Sequence, residues 1–285
     1  MSPEPLDPGL IARLVRNALD EDHAFEDATT LATVSPRLRG TATFLAKEDG
    51  ILAGMPVALE AFRQLDPEAE LNVHVPEGGA FTTGTVLAEA TGLVQGILRA
   101  ERVALNFLQR MSGVATLTNR FVSAVEGTRA VILDTRKTTP GLRDFEKYSV
   151  RCGGGTNHRR DLAAMAMVKD NHREALARME QSLKDGVEAI RRRTPGIPVE
   201  IEIDSLDQLD AALAANPEWI LLDNMDTLAM REAVQRVAGR AKLEASGGVS
   251  LTTVRAIAAT GVDAISVGAL THSARALDIS LDLAF

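Results

Sequence analysis

From Thr128 onward the chain repeats one alternation: a short apolar run, a turn, an amphipathic segment with a capping residue, then another apolar run. The runs read AVILD (130–134), MAMVK (165–169), VEIEID (199–204), WILLD (219–223), KLEAS (242–246) and AISVG (264–268). Alternation of this kind predicts a parallel sheet, because parallel neighbours must be joined by a crossover helix. Six runs fall short of the eight strands of a complete barrel. The expected architecture is therefore α/β, an open or incomplete parallel α/β barrel, with a doubly wound sheet as second choice. Helix starts are expected from a capping box at Ser205 and Gln208, from Asp226 and from Ser250, with Gly261 past the end of the last of these helices.

The first half follows a different pattern. Asp7 and Pro8 open a helix whose apolar face is Leu10, Ile11, Leu14, Val15, Ala18 and Leu19. TATFLA, ELNVHV and TVLAEAT read as strands, with MPVALEAFRQL between them as a helix. This is an α+β unit of about a hundred residues. A long helical stretch follows from about Gln95 to about Val125, with a break expected near Ser112-Gly113.

Composition narrows the function. Lys and Arg number 31 against 39 Asp and Glu, a net charge of −8, which disfavours nucleic acid or an anionic membrane as partner. Aromatic residues are too sparse for a base-stacking platform. Apolar runs are too short for a membrane span and the start lacks a secretion signal, so a cytoplasmic location is expected. Cys152 is the single cysteine and has no base in its motif, so it reads as a small buried residue rather than a nucleophile. His23 and His74 read as surface or packing residues.

Charges collect where the apolar runs stop. Asp134, Arg136 and Lys137 follow the first, Lys169 and Asp170 end the second, Glu200, Glu202 and Asp204 share one face of the third, Asp223 ends the fourth, Glu244 and Ser246 lie on the fifth, and Gly268 and His272 follow the sixth. Ligands of parallel α/β folds bind at those carboxyl ends. Arg136, Lys137, Arg159 and Lys169 crowded into one mouth would repel one another and lose hydration, which predicts an anionic ligand between them. Arg offers a planar fork for carboxylate or phosphate, and Lys a point charge. EASGGVSLTTV places Ser246, Gly247 and Gly248 between a strand and a helix, where backbone amides bind phosphate. RCGGGTNHRR is a weaker signal, most simply a turn. Glu202 and Asp223 could hold ribose hydroxyls or Mg²⁺, directly or through water, or could serve as counter-ions for Lys169 and Arg159.

ERVALNFLQRMSGVAT, DTRKTTPGLR, EKYSVRCGGGTNHR, VKDNH, LLDN, EASGG and VGALTHS, in this order, resemble the quinolinate phosphoribosyltransferase family, from about Asp7 to Leu281. The resemblance implies an α/β sandwich over residues 1–112 and an open barrel over 113–285, with the last residues able to pack back on the first domain. It implies a homodimer or larger assembly with shared sites. It implies that quinolinate and phosphoribosyl pyrophosphate (PRPP) react with Mg²⁺ to give nicotinate mononucleotide, pyrophosphate and CO₂ in NAD synthesis. On it, Arg102 (from a neighbouring subunit), Arg136, His158, Arg159 and Lys169 hold the quinolinate carboxylates, and Lys137 faces PRPP. Glu202 and Asp223 serve the ribose and Mg²⁺. Ser246, Gly247, Gly248 and Gly268 cradle the 5′-phosphate near His272. The chain departs from the family pattern at Asp161 and Ala164, where glycine and aspartate are usual; Asp161 is expected to pair with Arg160 and cap the turn that follows. Two rival readings are a phosphoribosyltransferase for another aromatic acid, such as nicotinate, and a binding paralogue without turnover.

Overall fold

The structure, a computed structural model, describes residues 3–285. The chain begins with α1 (Pro8–Glu21), α2 (Ala28–Thr33), β1 (Arg39–Ala46), β2 (Gly50–Ile51), α3 (Met55–Leu65), β3 (Glu70–Val73), β4 (Ala80–Phe81), β5 (Val86–Leu93) and α4 (Val94–Ala124). There follow β6 (Val131–Leu133), α5 (Arg143–Cys152), β7 (Ala166–Val168), α6 (Asp170–Arg178), α7 (Leu183–Arg193) and β8 (Val199–Ile203). The last part comprises α8 (Leu209–Ala214), β9 (Trp219–Asp223), α9 (Thr227–Val237), β10 (Lys242–Ser246), α10 (Val254–Ala258), β11 (Ala264–Ser266), α11 (Ala269–His272) and β12 (Ile279–Ala284). These elements fall into two compact units. The first comprises the chain up to Asn119, Thr138–Gly154 and Leu270–Phe285; the second comprises Arg120–Lys137 and Gly155–Ala269.

The first unit is built on an antiparallel sheet in the order β12-β1-β5-β3. β1 alternates buried and half-buried residues, as a strand with one covered face should. Its inward Phe44 meets Phe62 of α3 edge-on at 5.7 Å. The expected start of α1 is observed: Asp7 accepts the Leu10 N–H at 2.7 Å, and Ile11, Val15 and Leu19 are buried. Glu77 holds the start of α3, accepting the Gly54 and Met55 N–H groups at 2.9 Å each. Cys152 is buried with its thiol 3.8 Å from Glu77. Burial first, and the Glu77 charge next, push that thiol up to about 12, which favours the protonated form over a nucleophilic thiolate.

One expectation fails here: α4 runs unbroken from Val94 to Ala124. Ser112 and Gly113 are packing residues instead of breakers. The Ser112 hydroxyl sits 3.1 Å from both the N–H and the carbonyl of Ala53, and a Cβ on Gly113 would lie 1.9 Å from the Arg275 carbonyl oxygen. The helix needs a bare backbone where a second chain segment crosses it.

The second unit holds the six-stranded parallel sheet, in the order β6-β11-β10-β9-β8-β7. All six apolar runs are strands. From β7 to β11 each strand lies beside its sequence neighbour, and the first strand, β6, pairs with the last, β11, which is barrel order; a doubly wound sheet would reverse direction at a switch point. Among the described residues no ladder joins β6 to β7, so the barrel is open there. Part of the gap is occupied by Thr156, whose N–H reaches the Ile132 carbonyl at 2.8 Å. Apart from β7, whose Met167 is half-buried, the strand centres are buried; β9, for example, buries Ile220, Leu221 and Leu222. Asp226 caps α9 as expected, accepting from Leu228 and Ala229. The Ser205–Gln208 box does not form: the Gln208 side chain instead bonds Asp204 at its backbone N–H and its carboxylate, and a 3₁₀ turn over Leu206–Gln208 precedes α8. Ser250 organises a turn with Thr252 and Thr253, and α10 begins only at Val254.

Candidate active site

Parallel register brings the expected residues to one edge of the second unit. Val168 pairs with Ile201, so the next residues, Lys169 and Glu202, are side by side, and Lys169 Nζ lies 2.7 Å from Glu202 Oε2. Asp223 pairs in register with Ser246, at the ends of β9 and β10. Beyond them two loops interlock. Asn224 has a left-handed backbone (φ 54°), donates its N–H to the Ser246 carbonyl at 2.9 Å and its side-chain amide to Asp223 at 2.8 Å. Gly247 (φ 95°) lies against it: a Cβ there would be 2.2 Å from Asn224 Oδ1 and 2.8 Å from its backbone nitrogen. Gly248 (φ 58°) faces open space. Gly268 follows β11, whose extension donates the Val267 N–H to Leu133 on β6 at 2.9 Å.

Arg136 and Lys137 follow β6, the former half-buried and the latter exposed. Arg159 is half-buried, and its guanidinium donates to the Met165 carbonyl at 2.9 Å and approaches the Met167 sulfur at 3.4 Å. Burial first, and the Arg136 charge next, hold Arg159 below its ordinary value; the charges of Glu200, Glu244 and Glu202 oppose this in part. Two half-buried guanidiniums within mutual electrostatic reach favour a bound anion, which relieves both their repulsion and their lost hydration.

His158 lies deeper, with only 8% of its side chain exposed. Nε2 is 3.2 Å from Glu200 Oε2 and 3.1 Å from Glu244 Oε2, and Nδ1 accepts the Arg159 N–H at 2.8 Å. Asp134, itself fully buried, accepts the His158 N–H at 2.8 Å and the Asn157 side-chain amide at 2.7 Å. Burial pulls His158 down, but its contacts with Glu200 and Glu244 outweigh this and raise it; Glu200 is raised too, by burial first and against its contact with His158. Both shifts describe one proton retained among three buried groups. Glu200 and Glu244 were visible in the sequence only as charges on strands. Their inward placement, and Asp134 as anchor of the Asn157-His158 segment, were not.

Glu202 is half-buried and Asp223 partly exposed. Each offers carboxylate oxygens, the donor type a hard divalent cation such as Mg²⁺ prefers. Asp161 takes the expected role: it pairs with Arg160 at 3.1 Å and accepts the Ala163 and Ala164 N–H groups at 3.0 and 3.1 Å. Those backbone bonds, Ala163 foremost, and Arg160 hold its carboxyl below the usual range. Arg102 and His272 belong to the first unit. Arg102 is exposed on α4, and His272 is exposed with Nδ1 2.6 Å from the Ser273 hydroxyl. A network unforeseen in the sequence also lies in that unit: Arg110 donates to buried Glu146 at 2.8 Å, and Glu146 accepts from Thr139 at its N–H (3.0 Å) and hydroxyl (2.8 Å). It fixes Thr139, two residues beyond Lys137 in the chain.

The model of the quinolinate phosphoribosyl transferase N-terminal domain matches residues 27–112, and that of the C-terminal domain residues 114–282. The nicotinate-nucleotide pyrophosphorylase (carboxylating) of Mycobacterium leprae is 46% identical over 94% of this chain and 95% of its own. A quinolinate phosphoribosyltransferase (decarboxylating) of Nicotiana tabacum is 41% identical over 96% of this chain and 82% of its own. Among solved structures, NadC from Streptococcus pyogenes superposes with a TM-score of 0.94 at 38% identity, covering 99% of each chain. Human nicotinic acid phosphoribosyltransferase, at 12% identity and a TM-score of 0.62, shares the fold alone. Likeness of this extent over both units means that the chain belongs to the quinolinate phosphoribosyltransferase family.

Proposed function

We infer that the chain transfers the phosphoribosyl group of PRPP to quinolinate with loss of CO₂, giving nicotinate mononucleotide and pyrophosphate in NAD synthesis. The observation that carries this reading is the pair Arg136 and Arg159, half-buried and electrostatically opposed, with Lys169 just past the end of β7 in the same parallel sheet. Quinolinate brings two adjacent carboxylates; nicotinate brings one. Three cations match the former better, because each charged hydrogen bond adds about 1.5–3 kcal/mol and an unmatched cation keeps its desolvation cost. The turn at Ser246, Gly247 and Gly248, with Gly268, receives the 5′-phosphate. Lys137 faces the pyrophosphate.

The pyridine nitrogen attacks C1 of the ribose as pyrophosphate leaves. Holding the two reactants in line provides much of the rate. Glu202 and Asp223 orient the ribose hydroxyls and stabilise the positive charge that develops on the sugar. The same two carboxylates would hold Mg²⁺, which when bound neutralises the pyrophosphate charge. Once the bond to C1 has formed, the bond from C2 to its carboxylate breaks and CO₂ leaves; the electron pair stays on C2, stabilised by the adjacent cationic ring nitrogen, and C2 takes a proton from solvent. This sequence needs no covalent enzyme intermediate, in keeping with the protonated, buried Cys152 thiol. Lys169 and Arg159 then release a product with one carboxylate fewer. The active assembly is a homodimer or a multiple of it, with Arg102 reaching the site of a neighbouring subunit, as the family resemblance implies.

The purified protein, given PRPP, Mg²⁺ and either quinolinate or nicotinate, is expected to form nucleotide and equimolar CO₂ from quinolinate alone. In the same assay Arg136→Ala should raise the quinolinate KM more than tenfold, the loss of a charged bidentate contact. Nucleotide from nicotinate, or none from either acid, would overturn the reading.

A further inference from the structure

His158 has no ring nitrogen left to offer a substrate. Nδ1 accepts the Arg159 N–H at 2.8 Å, so the ring proton lies on Nε2, between Glu200 Oε2 and Glu244 Oε2 at 3.2 and 3.1 Å. The same assignment argues against a metal ion in this trio, although its three ligand atoms lie within 4.8 Å of one another: a metal on Nε2 would leave the imidazole without a proton at either nitrogen. Apart from this contact with His158 the Glu200 oxygens meet no hydrogen-bond donor among the described residues, and both carboxylates are buried. Two buried acids from β8 and β10 therefore converge on one ring.

The backbone explains what that ring does. Asp134 fixes His158 by its N–H, and His158 in turn fixes Arg159 by its N–H. Arg159 thus leaves a main chain held at its own N–H and at that of His158 before its guanidinium reaches Met165 and Met167. Buried carboxylates are costly to desolvate, and on a stability argument alone well-packed apolar residues would serve as well. A device that aims a guanidinium gives them a use that packing does not. We propose that Glu200 and Glu244 are positioning residues which clamp His158, and that the clamped His158 aims Arg159 at a quinolinate carboxylate without itself touching the substrate. The proposal rests on the transferase reading given above.

The test is steady-state kinetics of the Mg²⁺-supplemented full-length enzyme. Glu244→Gln and, independently, Glu200→Gln are expected to raise the quinolinate KM five- to fiftyfold while the PRPP KM and kcat stay within twofold. A merely structural role would move both KM values together, or neither, and would overturn the proposal. The sharper test is a double-mutant cycle. With Arg159→Lys in place, adding Glu244→Gln should change the quinolinate KM by less than twofold, because the fork it aims is gone. Full additivity would mean that the carboxylates do not act through Arg159. If either Gln variant fails to fold, the other, at the opposite carboxylate, still decides. Wild-type turnover of quinolinate is measured first: its absence would sink the transferase reading, whereas a normal wild type with unaltered variants would sink only this one.

Discussion

A methyl group at residue 247 has nowhere to go, because Asn224 fills the space with backbone as well as side chain, and the φ of 95° disfavours any residue but glycine. One position later, Gly248 also has a positive φ but meets nothing within 4 Å. The two glycines of the SGG turn are therefore unequal. Gly247→Ala must displace the Asn224 loop, and with it Asp223, whose carboxylate Asn224 holds. It is expected to cost about 1–3 kcal/mol of stability and to raise the PRPP KM at least tenfold. Gly248→Ala pays only the left-handed backbone penalty, roughly 1–2 kcal/mol. Thermal melts and PRPP saturation curves on both variants check this; equal behaviour of the pair would refute the interlocked-loop account. The sequence made the turn legible as a strand, Ser-Gly-Gly and a helix. It could not rank the glycines, since the atom that distinguishes them lies more than twenty residues upstream. The same holds for Glu200 and Glu244, which are legible as charges on apolar strands, whereas their common partner His158 arrives from a glycine-rich segment between β6 and β7.

At the scale of elements, periodicity and turn chemistry located all six parallel strands, the first helix and the α9 cap. The misreadings share one cause: a small or polar residue with two possible uses. Gly113 signals a break by propensity, yet in the fold it admits the Arg275 carbonyl against an intact α4. Gln208 completes a capping box by spacing, yet the exposed Asp204 and its own backbone compete for it and win. Local rules see only the first use, and tertiary contact decides. Gly113→Ala puts the two in opposition. On helix propensity alone alanine would stabilise α4 by up to about 1 kcal/mol. The 1.9 Å approach to Arg275 instead predicts a net loss of about 1–3 kcal/mol, the usual cost of overpacking. A lower melting temperature for Gly113→Ala supports the packing role; a higher one would restore the reading of Gly113 as a weak point of the helix.

At the scale of the whole molecule, a chain of net charge −8 must, on the proposed function, bind two anionic substrates. The body of the protein repels a dianion, but salt screens that repulsion over about 10 Å at 0.1 M, while close, half-buried pairs are screened far less. On the proposed function, selectivity rests on the local set of Arg136, Lys137, Arg159 and Lys169, all in the second unit, and on Arg102, which belongs to the first. On the proposed assembly Arg102 serves the site of a neighbouring subunit, and this has a quantitative consequence. Arg102→Ala and Lys137→Ala should each be nearly inactive alone. When the two are unfolded, mixed in equal amounts and refolded, half of the dimers carry one of each chain. If Arg102 acts across the interface, such a dimer has one site with both lesions and one with none. Recovered activity should then approach about a quarter of wild type, since one intact site survives in each mixed dimer of a two-fold assembly. If Arg102 acts within its own subunit, every site in every dimer keeps one lesion and mixing restores nothing. A recovery near the quarter limit would thus establish the shared site without any structure of the assembly, and no recovery would return Arg102 to its own chain.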